Sequence, residues 1–65
     1  MDYSERVKTL MIEIAEKYGY DLEDYEDLIS VWSAMLSENP WLSGMVSFDD
    51  IIILRDEMSA EAQEQ

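Results

Sequence analysis

The side chains in this sequence that could do chemistry are carboxylates. Sixteen Asp and Glu stand against four Lys and Arg, with no histidine and no cysteine. Nucleophilic catalysis of the serine or cysteine kind therefore lacks both the base and the thiol it needs. Paired carboxylates can work as general acid and base only where a desolvated cleft separates their pKa values, and a few short helices rarely enclose one. Carboxylates also hold divalent cations. Asp21, Glu23 and Asp27 are spaced loosely like a calcium loop, but Glu26 occupies the position that needs glycine and Trp32 the one that needs glutamate, which excludes an EF-hand. Glu13 with Glu16 and Glu23 with Glu26 have the ExxE spacing by which all-helical nucleotide pyrophosphatases hold magnesium. Any acidic amphipathic helix produces that spacing, so a solvated face is the better reading. There is no phosphate-cradling glycine loop and no basic nucleic-acid footprint. The expectation is a protein that is not an enzyme, with no catalytic residue, no metal and no cofactor.

What remains is charge. Asp21, Glu23, Asp24, Glu26 and Asp27 put five carboxylates into seven positions, and Asp49 and Asp50 add a second pair. On a helix rising about 1.5 Å per residue, the first group would form a line almost as dense as duplex DNA, which carries one negative charge per roughly 1.7 Å of axis. The formal net charge of −12 exceeds the magnitude of about 2 to 8 that keeps a small domain soluble. Such a field repels nucleic acid and anionic membrane and attracts basic surfaces. It also works against the compact state, so solubility alone does not account for it. Dense carboxylates can occupy the phosphate sites of a basic groove and release its counterions. These seven residues are the candidate partner-binding site, for a partner that is basic.

The elements that must position them read as helices. Tyr3, Val7, Leu10, Met11, Ile14, Ala15 and Tyr18 form one stripe of a first helix, and Gly19 stands where a left-handed C-cap is wanted. A second helix is expected from Asp21, as N-cap, to about Ser37. Its inward arc comprises Leu22, Tyr25, Leu28, Ile29, Trp32, Met35 and Leu36, and Val31 is an apolar intruder on the acidic face. The short link predicts antiparallel or steeply crossed neighbours. Asn39 before Pro40 ends that helix and can open a single helical turn, Pro40 to Ser43, closed by Gly44, with Trp41 and Leu42 plugging the core. Ser47 with Asp50 makes a capping-box-like start for a third helix, Phe48 to about Ser59. Arg55 falls within its apolar arc, predicted to pair with a carboxylate of helix one or two, and Ile53 falls outside. The competing reading is a hairpin, Met45 to Phe48 and Ile51 to Arg55, which lacks an Asn-Gly or Asp-Gly turn. The sequence thus predicts an all-α single domain over 1–65, three helices with a short turn before the last, and residues 59–65 a frayed tail. The alternative is α+β with a C-terminal hairpin.

In size, net charge, absence of cysteine and runs such as DLEDYED at Asp21 and FDD at Phe48, the chain resembles the small acidic phage-encoded inhibitors that imitate DNA, among them anti-CRISPR and anti-restriction proteins. The resemblance spans the chain and contains no diagnostic motif. It implies a stoichiometric inhibitor in the cytoplasm of the host cell. Such a protein docks on a basic nucleic-acid-binding protein, a defence nuclease or CRISPR effector, and touches neither nucleic acid nor membrane directly. The rival expectation is an interaction protein working through an apolar helix face, a homodimer or an antitoxin-like adaptor, suggested by Ile53 and its Met-rich neighbours.

Overall fold

The computed structural model describes residues 3–63. They form α1 (Tyr3–Tyr18), α2 (Tyr25–Glu38), a 3-10 turn (Pro40–Gly44) and α3 (Phe48–Gln63), with no strand among the described residues. The domain is all-α, and the segment after Gly44 is helix rather than hairpin. The capping box decides that locally. The Ser47 amide donates to Asp50 Oδ2 at 3.1 Å and the Asp50 amide to Ser47 Oγ at 3.3 Å, so two end groups of α3 are satisfied reciprocally. At its other end α3 continues past Ser59 to Gln63, so most of the expected tail is helix; Glu64 and Gln65 lie outside the described residues.

Among the described residues the core is entirely apolar: Val7, Met11, Ile14 and Ala15 from α1, Leu28, Val31 and Met35 from α2, Leu42 and Val46 from the connection, Ile51 and Leu54 from α3. α1 packs against both other helices, and the 3-10 turn packs against α2. The inward centre of α2 therefore differs from the expected arc. Val31 is fully buried, whereas Tyr25 and Ile29 are 56% and 44% exposed. The stripe is wide enough to be packed off-centre, and against α1 and the 3-10 turn it turns Leu28, Val31 and Met35 inward. Trp41 departs from expectation as well. It is not a core plug but lies 39% exposed with Arg6 over its ring at 5.4 Å, and Leu42 alone fills the core from that turn.

Gly19 has φ +76°, and a Cβ built there would meet nothing within 4 Å. The strain of Gly19→Ala is thus purely conformational, about 1 kcal/mol. The expected thermal shift is about 4–8 °C downward, read by circular dichroism, and an unchanged melting temperature would contradict the left-handed turn. Beyond Gly19 the link is longer than the sequence suggests, because α2 begins at Tyr25 with Asp24, not Asp21, as N-cap. Asp24 Oδ1 accepts from the amides of Glu26 at 2.9 Å and Asp27 at 3.4 Å. Asp21 instead closes a turn, its Oδ1 accepting from the Glu23 amide at 3.0 Å and its carbonyl from the Asp24 amide at 3.0 Å. Both residues are competent caps, and the one nearer the buried stripe takes the role.

The link carries the chain away from the end of α1, and α2 returns to it with its own last turn. There the Tyr18 hydroxyl donates to Glu38 Oε2 at 2.6 Å and Lys17 Nζ lies 3.4 Å from the same oxygen. The Tyr18 hydrogen bond, aided by Lys17, holds the Glu38 carboxyl below its ordinary range, and the same hydrogen bond raises the Tyr18 phenol. A lowered carboxylate stabilises the fold above its unfolded pKa and ceases to do so as pH falls through the folded value. A raised phenol stabilises below its unfolded pKa, and that contribution is lost as pH rises through the folded value. The clasp thus works between the two. Followed by NMR, Tyr18 should ionise above the ordinary phenol range and move back toward it in Glu38→Gln; indifference to that substitution would refute the contact.

Candidate functional site

The seven candidate acids occupy three settings: Asp21 and Glu23 on the link, Asp24 with Glu26 and Asp27 at the start of α2, and Asp49 with Asp50 at the start of α3. They do not form the continuous helical line that their spacing suggests, since the backbone from Asp21 to Asp24 is a turn. Tertiary contacts nevertheless join the settings. The rings of Tyr25 and Phe48, the first residues of α2 and α3, meet edge to face with centroids 5.9 Å apart. Further along α3, Arg55 Nη1 donates to the Leu22 carbonyl at 3.1 Å and the Ser59 hydroxyl to Glu23 Oε1 at 2.9 Å. The link is thereby laid along α3, and the two acidic helix starts become neighbours.

Several of these carboxylates also serve the backbone. Asp21, Asp24 and Asp50 accept from nearby main-chain amides as described, and Asp27 Oδ2 accepts from the Asp21 amide at 2.9 Å. The side chains of Glu26 and Asp49 are exposed and make no hydrogen bond or ion pair with the described residues.

The four Lys and Arg side chains are engaged with other groups. Lys8 bridges Glu57 at 3.2 Å and Glu61 at 3.5 Å, Lys17 faces Glu38, Arg6 covers Trp41, and Arg55 Nε donates to Asp56 Oδ1 at 2.8 Å. The expected pairing of Arg55 with α1 or α2 is corrected here: the link lies opposite it and offers a main-chain carbonyl, so its remaining partner is its own neighbour Asp56. The Glu57 hydrogen bond, with Glu61 and Glu5 nearby, raises the Lys8 ammonium above its usual range despite desolvation. None of the seven candidate acids is paired with a cation among the described residues.

Among the described residues no group of three or more acidic side chains is arranged to hold a metal ion. Shallow open hollows occur between the link and α1, ≈ 270 Å³ and lined by Ile12, Glu16, Tyr20 and Leu22 among others, and between Tyr18, Tyr20 and the serines of α2, ≈ 340 Å³. No protein-family model, no curated protein and no solved structure matches the chain.

Sequence reasoning misses the residues that assemble this surface. It places Tyr25 inward and Ser59 in a tail, whereas Tyr25 joins the two helix starts and Ser59 anchors Glu23. The available signal is position: Tyr25 and Phe48 each directly follow a capping residue, Asp24 and Ser47.

Proposed function

We propose that the protein is a stoichiometric, non-enzymatic inhibitor that binds the basic nucleic-acid-binding surface of a defence nuclease or CRISPR effector by presenting carboxylates where phosphates would lie. It would act in the host cytoplasm; none of the described helices is long and apolar enough to cross a membrane. The observation that carries the reading is the gathering of seven carboxylates on two adjacent helix starts and their link, none of them in an ion pair among the described residues. The imitated feature is a folded cluster of charge at two helix ends, in place of one straight line.

The test is capture of bacterial nucleic-acid-binding proteins on the immobilised chain, followed by competition with duplex DNA. A mimic shares its site with DNA, so excess duplex and raised salt should both release the partner. A partner that stays bound through both treatments would sink the reading and favour the apolar adaptor or dimer instead, for which Met45 and Ile53, 52% and 54% exposed, are the observation.

A further inference from the structure

The acidic face has an apolar centre. Tyr25 and Ile29 lie one turn apart on the flank of α2 that the core leaves uncovered, 56% and 44% exposed. Tyr25 meets Phe48, and Ile52 follows Phe48 by one turn of α3, both half-buried. Carboxylates border this seam on each helix: Glu26 is three residues before Ile29 and Asp49 three before Ile52, which places each acid beside the apolar residue it borders. These are the two candidate acids whose side chains make no bond within the described fold. A surface that only imitated phosphates would have no use for exposed isoleucine and tyrosine between its charges.

We propose that this seam, from Tyr25 and Ile29 to Phe48 and Ile52 beside them, is a docking surface for a cationic amphipathic helix of the partner. The helix's apolar stripe covers the seam while its flanking Lys or Arg meet Glu26 and Asp49. Charge selects this occupant. A second copy of the chain would bring another −12 against the same carboxylates, and a neutral apolar helix would leave Glu26 and Asp49 unpaired at the rim of a desolvated contact. The inference rests on the proposed binding of a basic partner and adds that the basic element is helical and one-sided.

The probe is a leucine–lysine peptide about five helical turns long with its leucines on one face. Its companion has the same composition in scrambled order. Both are titrated into the intact protein by calorimetry at low and at raised salt. The ordered peptide should bind about tenfold more tightly than the scrambled one, and Ile29→Ser should remove most of that advantage. Ile12→Ser, an exposed apolar change on α1 beside the link, should leave it in place. Equal binding of both peptides would overturn the docking surface while leaving the charge reading intact. Binding of neither at low salt would overturn both. An advantage that survives Ile29→Ser, or a self-association abolished by that substitution, would assign the seam elsewhere and overturn the proposal.

Discussion

Leu42→Ala should cost about 3 kcal/mol and lower the melting temperature by about 15 °C. Leu42 is fully buried and is the one side chain of the 3-10 turn that enters the core. Its carbonyl also accepts from the amides of Met45 at 3.0 Å and Val46 at 2.9 Å, fixing the approach to α3. A chain of 65 residues has a total stability of about 3–10 kcal/mol. The loss is therefore a large share of the whole, and a fraction of the molecules would be unfolded near body temperature. The adjacent Trp41→Ala should cost only about 1 kcal/mol, since that ring is partly solvated and gives up mainly its contact with Arg6. Urea unfolding of both variants checks this. Equal losses, or a larger loss for Trp41, would mean that the tryptophan is the plug after all.

The second large effect concerns binding. Neutralising Glu23, Asp24, Glu26 and Asp27 to Gln or Asn changes the formal charge from −12 to −8, four charges out of sixteen acids. Partner affinity should fall about a hundredfold, if each exposed charge contact is worth about 0.7 kcal/mol. The helical circular dichroism should persist for a specific reason. Asp24→Asn and Asp27→Asn each leave a side-chain carbonyl in place, and it can accept the amide hydrogen bonds now made to the two carboxylates. Full affinity in a folded variant would remove the acidic cluster from the mechanism. Lost affinity with lost helicity would show that the caps had been broken, and Glu26→Gln with Asp49→Asn, two side chains with no role in the described fold, would then test the surface alone.

The fold is legible in the sequence where local chemistry is strong. Gly19 announces its left-handed turn, Ser47 and Asp50 their reciprocal cap, and Pro40 the change of direction. Periodicity places the centre of α1 correctly, since Val7, Met11, Ile14 and Ala15 are buried as their spacing requires, whereas Tyr18 at the end of the stripe is 48% exposed. It misjudges α2, because seven apolar positions spread over a wide arc fit more than one inward direction, and packing against α1 and the 3-10 turn selects the one centred on Val31. The start of α2 is ambiguous because Asp21 and Asp24 are equally good caps on sequence grounds. At the candidate site the acids are visible as residue types, but their gathering is not. It depends on contacts between distant positions, Tyr25 with Phe48, Leu22 with Arg55 and Glu23 with Ser59, which no local pattern encodes.

That every lysine and arginine is tied into the fold has a kinetic consequence. Within about a Debye length, roughly 10 Å at 0.1 M salt, an approaching molecule senses a field dominated by the net charge of −12. The proposed basic partner would be drawn in by that field, and the encounter rate would carry much of the sensitivity to salt. In the proposed complex, residence would depend more on the small apolar seam between the charges, which must be re-exposed to water when the partner leaves. In that proposed complex Ile29 would act chiefly on retention and the outlying acids chiefly on capture, with Glu26 and Asp49 contributing to both.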